Sequence, residues 1–192
     1  MVVANVQGMP TRDLQLLPSD PVAKVEGVAR WREWATAHRM AAALLGGVVA
    51  THIATVFGFM EVGVGLPRLD WLTTNGVFYM PHASPGIQFL SGGIFHYTDG
   101  IVFAVLYAAA FHPVLPWRST PAGNILKAML FGTILATISA GFLVQRVYYP
   151  NHDVGFFAHN LGWKTVFAIY LWHWVFGAHL GVIYNVKDGA RG

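Results

Sequence analysis

The chain has 192 residues, of which 55% are apolar and only 11% are charged. A soluble domain carries roughly 25% charged residues, so this composition disfavours a disordered chain, a nucleic-acid-binding module or an ordinary cytosolic enzyme. The formal net charge of +3 is too small to indicate a particular partner. Cysteine is absent, which excludes disulfides, iron–sulfur clusters, thiolate zinc sites and a cysteine nucleophile. The sequence therefore indicates an integral membrane protein.

Four apolar stretches are long enough to cross a membrane as helices, since a crossing needs about 20 mostly apolar residues. They cover residues 40–60, 87–111, 125–144 and 165–184. Aromatic residues flank them, among them Trp71 and Tyr148, as in the aromatic belts at the two membrane interfaces. The strict alternation of apolar and polar residues that a membrane β-barrel needs is missing. We therefore predict an all-α fold, a four-helix transmembrane bundle.

The positions of Lys and Arg predict the orientation of the bundle. One side carries Arg12, Lys24, Arg30, Arg32, Arg39, Arg118, Lys127, Lys187 and Arg191. The other side carries only Arg68, Arg146 and Lys164. The positive-inside rule then places both termini in the cytoplasm, and we expect a multi-pass protein of the bacterial inner membrane.

The chain before the first span differs from the rest in composition. We predict that residues 1–38 form a cytoplasmic segment and that residues 39–192 form the four-span bundle. Pro21 can begin a helix without loss of a hydrogen bond, and Ser19 or Asp20 can cap it. Apolar residues such as Val25 and Trp31 mix with charged ones from residue 22 to residue 39, which favours an amphipathic helix at the membrane interface. The alternative is a simple extension of the first span.

The second and fourth spans share a pattern of residues. His96, Gly100, Ala104 and Tyr107 have the same spacing as His173, Gly177, Gly181 and Tyr184. The first and third spans align more weakly, through Gly46 and Gly132. We therefore predict two tandem helical hairpins. Small residues four apart let helices approach closely in lipid, so we expect the stripe containing Gly100 to face the stripe containing Gly177.

The last span carries the pattern His-x-x-x-Gly-x-x-x-Gly-x-x-Tyr, which begins at His173 and ends at Tyr184. In this pattern the chain resembles small bacterial four-span integral membrane proteins of unassigned function. The resemblance covers the four spans and not the residues before them. It implies the four-span topology and no particular chemistry.

The chain contains nine histidines, an unusual number for so apolar a protein. Ionisable residues at membrane depth usually line an interior or a water-filled cavity. His52, His96 and His173 lie at one depth, roughly 12–14 Å below the outer edge of the membrane at about 1.5 Å of rise per residue. Asp99 follows His96 on the same helix face. We predict that these four residues form a cofactor-binding layer, although each histidine could instead be a neutral imidazole bonded to a neighbouring helix.

The two outer connections hold weaker candidate ligands. These are His82, His152, Asp153 and His159. Both connections are long for structureless loops, so we expect part of each to form a short helix or to be functional. The alternative is that these four are ordinary polar loop residues.

The predicted layer is compatible with three kinds of site. His96 and His173 on facing helices could hold haem b as its axial ligands, with Gly92 as the small residue beside the ring. His52, His96 and His173 could bind a copper or zinc ion, with Asp99 as a partner of one imidazole. A quinone site would use histidine with Asp or Tyr near the mouth as proton carriers.

These observations favour an accessory integral membrane subunit of a larger redox or oxygenase complex, with no catalytic activity of its own. Its partners would be the lipid bilayer and other membrane subunits, and we expect no nucleic acid. The alternatives are a stand-alone electron-transfer protein linked to haem b or quinone, and a small transporter.

Overall fold

The computed structural model describes residues 21–149 and 152–188, and side chains from residue 25 onward. All regular secondary structure in these residues is helical. Four segments are long and apolar enough to cross a membrane: Arg39–Val64, Pro85–Val114, Pro121–Tyr148 and Trp163–Ile183. They match the predicted stretches closely. The predicted all-α, four-span bundle is therefore confirmed, and the chain is a multi-pass membrane protein surrounded by lipid.

The helices follow one another with few connecting residues. They are α1 (Pro21–Ala37), α2 (Arg39–Met60), α3 (Trp71–Tyr79), α4 (Pro85–Leu106), α5 (His112–Val114), α6 (Pro121–Ile138) and α7 (Trp163–Ile183). Short 3₁₀ helices occupy Glu61–Val64 and Phe156–Leu161, and π-helical segments occupy Tyr107–Phe111 and Ser139–Tyr148. N-cap residues fix where α3 and α6 begin. The Asp70 side chain accepts a hydrogen bond from the Thr73 backbone N–H at 3.0 Å, and the Thr120 side chain accepts one from the Gly123 backbone N–H at 3.0 Å.

The four spans form two antiparallel hairpins. The first contains α2 and α4, and the second contains α6 and α7. The hairpins meet where α2 packs against α7, so the spans lie in the order α4, α2, α7, α6. The predicted tandem hairpins are therefore confirmed. We call the end of the bundle that holds α1 and the chain after Ile183 the terminal end, and the opposite end the far end.

Glycines bring the two helices of each hairpin into close contact. A Cβ atom at Gly100 would overlap the Thr51 hydroxyl on α2, and one at Gly177 would stand 2.5 Å from the Ala128 carbonyl oxygen on α6. Each small-residue stripe thus packs on the other helix of its own hairpin. The prediction that the two stripes face each other is wrong, because the nearest helix along the chain already fills each stripe.

The weaker alignment of the first and third spans is not reflected in their packing. Gly132 contacts α7 within its own hairpin, whereas Gly46 contacts Leu180 of α7 across the hairpin interface. The residue that packs on α4 is Gly47, where an added Cβ would stand 2.8 Å from the Ile101 Cα. The contacts of the first span are therefore shifted by one residue from those that the alignment predicted.

The connection between α2 and α4 contains α3, as the prediction of a short helix there required. α3 packs against the far-end half of α4 in backbone contact, since Cβ atoms at Gly76 and Gly92 would overlap the carbonyl oxygens of Gln88 and Leu72. This contact draws α3 into the bundle. It places Asn75 beside the imidazole of His96.

Two spans contain π-helical turns, which often occur at functional positions. The segment Tyr107–Phe111 precedes Pro113, whose ring lacks an N–H donor and crowds the carbonyl four residues earlier. The segment Ser139–Tyr148 extends α6. Its wider turn brings Ser139, Leu143 and Tyr148 to one face, where all three line the same cavity.

A network of buried polar groups closes the terminal end. The Asn124 side chain donates to Asn185 Oδ1 at 3.1 Å and to the Val186 carbonyl at 2.8 Å, and it accepts from His112 Nε2 at 3.0 Å. The Tyr107 hydroxyl donates to the Asn124 carbonyl at 3.2 Å. These residues, which we call the terminal-end network, join the end of the second span, α6 and the segment after α7.

The helix predicted to begin at Pro21 is present as α1, and it runs into α2 through a break at His38. The Trp31 indole donates to the Ile183 carbonyl at 3.0 Å, and Arg32 donates to the carbonyl of Ser119. Val25 and Val28 are exposed. The location of α1 on the bilayer surface stays a prediction. Its proposed caps Ser19 and Asp20, the basic residues Arg12 and Arg191 and the side chain of Lys24 lie outside the described part of the chain.

Candidate functional site

A cavity lies in the far-end half of the bundle and touches all four spans and α3. Its volume is about 120 Å³. A water-sized sphere needs roughly 10–15 Å³ of such space, so the cavity has room for several waters or one small ring. The polar residues that line it are Thr51, Asn75, His96, Asp99, Ser139, Tyr148 and His173, and the aromatic ones are Trp71, Phe103, Trp172 and Phe176.

The more exposed side of the cavity is the one formed by α4 and α6. Its lining residues on α2 and α7, such as Thr51 and His173, are buried. Those on α4 and α6, such as Asp99 and Leu135, are half-buried, and Ile138 is 47% exposed. A hydrophobic molecule in the membrane could therefore reach the cavity sideways.

His96 is held by a hydrogen bond whose direction can be assigned. Its Nε2 lies 2.9 Å from Thr55 Oγ1. The Thr55 hydroxyl donates its single proton to the Thr51 carbonyl at 2.7 Å, so Thr55 Oγ1 must accept from His96. Nε2 of His96 therefore carries a proton.

The other ring nitrogen of His96 meets α3. Asn75 Nδ2 donates to His96 Nδ1 at 3.5 Å, and Asn75 Oδ1 accepts from the Tyr148 hydroxyl at 2.9 Å. A neutral imidazole has one donor and one acceptor nitrogen, and this chain of bonds uses both. His96 is therefore a neutral imidazole whose two nitrogens bind protein groups.

His173 uses only one of its nitrogens in this way. Its Nδ1 lies 2.7 Å from the Ile169 carbonyl, which can only accept, so Nδ1 carries the proton. In the neutral ring, Nε2 is then a hydrogen-bond acceptor. The side chain is buried and lines the cavity, so His173 can receive a hydrogen bond from a molecule bound there.

Three buried polar atoms of the cavity lining find no hydrogen-bond partner among the described residues. They are the indole nitrogens of Trp71 and Trp172 and the hydroxyl oxygen of Thr51. A buried polar group left in this state costs about 1–3 kcal/mol, so each one calls for a physical explanation. A bound molecule with hydrogen-bond acceptors would meet this need.

His52 does not belong to the cavity. It is exposed on the lipid-facing surface of α2, where its Nδ1 lies 2.7 Å from the Tyr97 hydroxyl. In the part of the chain that the structure describes, no three His, Asp or Glu side chains are grouped so that they could hold a metal ion. The predicted layer is thus reduced to His96, Asp99 and His173, and the three-histidine metal site is not formed.

The cavity does not fit a haem. Gly92, the small residue expected beside the macrocycle, is covered by the backbone of Leu72. Both nitrogens of His96 bind protein groups, which leaves none for iron. The volume of about 120 Å³ is also below the roughly 300–1,000 Å³ of sites for drug-sized ligands and cofactors.

Asp99 is on the more exposed side of the cavity and makes no hydrogen bond to His96 or His173 among the described residues. It lines the cavity and is half-buried, and the partners of His96 are Thr55 and Asn75 instead. Burial raises the pKa of the Tyr79 phenol above its ordinary value, and the negative charge of Asp99 acts in the same direction. Asp99 therefore faces the end of α3.

The weaker candidates in the far-end connections lie away from the cavity. His82, His152, Asp153 and His159 are all exposed. Asp153 stays within its own loop, where its side chain accepts from the Gly155 N–H at 3.2 Å and its carbonyl from Asn160 at 3.1 Å. His159 lies 3.4 Å from Asn160 Oδ1. Their predicted role as metal ligands has no support in these contacts.

The sequence did not single out several residues that the structure brings to this region. Trp71 and Tyr148 read as interfacial aromatics, and their contact at 5.5 Å between ring centroids depends on the fold. No pattern in the sequence points to Asn75, because only the packing of α3 on α4 brings this residue to His96. Glu61 is fully buried at the far end of α2, outside the cavity, and neither carboxyl oxygen has a partner in the described residues.

The geometry thus describes a small, mostly apolar cavity inside the four-span bundle, with several polar side chains in its wall. No protein family, curated sequence or solved structure matches this chain. The resemblance to small four-span bacterial membrane proteins therefore stays a prediction.

Proposed function

We propose that this protein binds the ring headgroup of a lipid-soluble quinone in its far-end cavity. The observation that carries the proposal is the set of unpartnered polar groups in a small aromatic-walled cavity inside the bundle. A quinone is delivered by the bilayer and has a flat ring with two carbonyl acceptors. Its isoprenoid tail would leave the cavity between α4 and α6.

The hydrogen-bonding groups of the cavity complement such a ring in both redox states. Trp71, Trp172 and Thr51 line the cavity, and each carries a buried donor without a partner among the described residues; we propose that these donors turn toward the quinone oxygens when the ring binds. The free acceptor nitrogen of His173 and the carboxyl of Asp99 can accept from the hydroxyls of a quinol. Trp172 and Phe176, with centroids 6.1 Å apart and planes inclined by only 3°, offer flat surfaces against which the ring could stack.

We further propose that the chain works as an accessory subunit of a membrane redox complex in the bacterial inner membrane, with both termini in the cytoplasm. The bias of Lys and Arg toward the terminal end supports this orientation. The large apolar side chains exposed on the spans, such as Leu90, Ile94 and Val102, suit contact with lipid and with other membrane subunits.

Binding can be measured with the purified protein in nanodiscs and a short-tailed benzoquinone, decylubiquinone. Quinones quench tryptophan fluorescence, so we expect saturable quenching. Trp71→Phe removes one donor while keeping an aromatic ring, and Asp99→Asn removes the charge on the more exposed side of the cavity. Trp71→Phe should weaken decylubiquinone binding about tenfold, the equivalent of ~1.4 kcal/mol or one hydrogen bond. Asp99→Asn should instead weaken binding of the reduced form, decylubiquinol, by about the same factor, measured by its competition with decylubiquinone.

The matched control is Trp174→Phe. Trp174 is also on α7, but its indole donates to Thr133 Oγ1 at 3.0 Å and it does not line the cavity. This variant should bind decylubiquinone like the parent. Quenching that does not saturate, or that is the same in the Trp71→Phe and Trp174→Phe proteins, would contradict the proposal.

A further inference from the structure

A second pocket lies beside the cavity at the far end. It has a volume of about 260 Å³ and lies between the start of α3, the end of the π segment and the start of α7. Its lining includes Arg68, Asp70, Thr74, Tyr149 and Thr165. The Arg68 side chain is 56% exposed and pairs with Asp70 at 3.2 Å. These charged and polar groups suit contact with water, and we call this pocket the far-end vestibule.

The vestibule and the cavity share two aromatic residues. Trp71 and Tyr148 line both, and their ring centroids are 5.5 Å apart. The Tyr148 hydroxyl is held by its bond to Asn75 at 2.9 Å. A partition one side chain thick therefore separates the water-facing pocket from the cavity.

The opposite side of the cavity is closed by several layers of side chains. Phe176 is 2% exposed and Tyr107 is fully buried. Below them, Phe131 packs between Tyr107 and Phe111, with centroid distances of 5.4 and 5.1 Å. The Tyr107 hydroxyl then bonds the Asn124 carbonyl, which joins this layer of rings to the rest of the terminal-end network. Water that reaches the cavity from the terminal end would have to cross all of this packing.

We infer that the cavity exchanges water and protons with the far side of the membrane, through the vestibule and past the partition of Trp71 and Tyr148. The inference rests on the proposed function for its purpose, since a bound quinone headgroup exchanges protons when its redox state changes. Exchange then occurs only with the far side, because the partition is thin while the packing toward the terminal end is thick. Tyr148 is then a positioning residue, because its ring closes the route and its hydroxyl holds Asn75 against His96.

The absence of cysteine allows a direct test of access. Thr51→Cys replaces a cavity hydroxyl with a thiol of similar size, and methanethiosulfonate ethylammonium serves as the charged probe. The reagent is used in its trimethylammonium form, whose positive charge is permanent and which therefore does not enter through the lipid. It is added to right-side-out and inside-out membrane vesicles that contain a thiol scavenger in the lumen. His82→Cys at the far end and Lys187→Cys at the terminal end, both exposed positions, report which end faces the reagent. The thiol at position 51 should be modified only where His82→Cys is modified.

The partition is tested in the same assay. Adding Tyr148→Ala should raise the modification rate from the far end about tenfold, as expected for a barrier lowered by ~1.4 kcal/mol. Tyr170→Ala is the matched control, because Tyr170 bonds Thr137 at 3.0 Å and does not line the cavity. If Tyr148→Ala does not fold, Trp71→Leu removes the other half of the partition and carries the same expectation.

Equal modification from both ends, modification only from the terminal end, or a rate unchanged by opening the partition would overturn the inference. The assay contains no quinone. Far-end access without saturable quinone binding would therefore remove the proposed ligand and leave the route intact. Quinone binding without far-end access would remove the proposed route and leave the proposed ligand intact.

Discussion

The bundle buries polar side chains near both ends, but the hydrogen bonding of these side chains differs between the two ends. In the terminal-end network, the Asn124 amide makes three hydrogen bonds, to His112, Asn185 and Val186. Around the far-end cavity, the polar atoms of Thr51, Trp71 and Trp172 have no partner in the described residues. The buried polar groups of one region are paired with one another, and those of the other region surround a cavity of about 120 Å³.

The contrast separates a structural role from a binding role. A fully paired polar network in a low-dielectric interior fixes the groups that it joins, because breaking any bond leaves a buried group without a partner. Buried donors beside a cavity instead keep their hydrogen-bonding capacity for a molecule that enters. The same classes of side chain therefore hold the hairpins together at one end and form the candidate site at the other.

Asn124→Val should give the largest loss of stability. Three hydrogen bonds disappear, and His112 and Asn185 are left buried without a partner, so we expect a loss of about 3 kcal/mol or more. Unfolding by sodium dodecyl sulfate in mixed micelles, followed by circular dichroism, measures the change. His82→Ala in the far-end connection between α3 and α4, at an exposed position, should change stability by less than about 0.5 kcal/mol. Equal effects in the two variants would contradict the structural role of the network.

Gly92→Ala should damage the far end selectively. The new Cβ would overlap the Leu72 carbonyl oxygen, so α3 must move and carry Asn75 away from His96. We expect a loss of about 2 kcal/mol, as for other overpacked cores, together with loss of decylubiquinone binding. The control is the adjacent Gly93→Ala, whose Cβ would stand 3.2 Å from a mobile Leu72 methyl group. If both variants bind like the parent, the packing of α3 does not form the site.

Thr55→Val and Thr51→Val should differ, although the residues are neighbours on one helix face. Thr55 bonds His96 and the Thr51 carbonyl, so its loss should destabilise the protein by about 1–2 kcal/mol. Thr51 has a buried hydroxyl oxygen without a partner in the described residues, so its replacement by the isosteric Val should leave the ligand-free protein as stable as the parent or more stable, by up to about 1–3 kcal/mol. The same Thr51 variant should bind decylubiquinone more weakly. If Thr51→Val were less stable than Thr55→Val, the assignment of Thr55 as the hydrogen-bonded residue and Thr51 as the unpartnered one would be wrong.

His52→Gln should have the smallest effect of all. The side chain is exposed and is not part of the cavity lining, and its bond to Tyr97 lies on the lipid-facing surface. Stability should change by less than about 0.5 kcal/mol, and the quenching titration should match that of the parent. A tenfold loss of quinone affinity would return His52 to the site.

Much of the fold could be predicted from composition and hydrophobic length. Transmembrane helices have to satisfy their own backbone hydrogen bonds in lipid, so four apolar stretches with aromatic flanks led directly to four spans. The repeat also predicted two hairpins. It could not predict the partner of each glycine stripe, because a stripe of small residues is equally suited to any neighbouring helix. Gly100 packs on α2 and Gly177 on α6 for reasons of connectivity.

The site was predicted less completely. Depth along a helix follows from residue number at about 1.5 Å per residue, and this arithmetic selected His96 and His173, which line one cavity. The same arithmetic selected His52, whose side chain faces lipid. Depth is a one-dimensional quantity, whereas convergence also needs the rotation of each helix about its axis.

The sequence by itself determined that the helices lie in a lipid bilayer, how many times the chain crosses it, and at what depth polar groups lie along each span. These properties depend only on local hydrophobicity and on the rise per residue. Only the tertiary structure decided which of those groups meet. The backbone contact of Gly92 with Leu72 brings Asn75 to His96, and the π-helical turn after Ile138 turns Tyr148 toward Trp71. Both contacts join residues far apart in the chain, and their geometry depends on the packing of whole helices rather than on any local pattern.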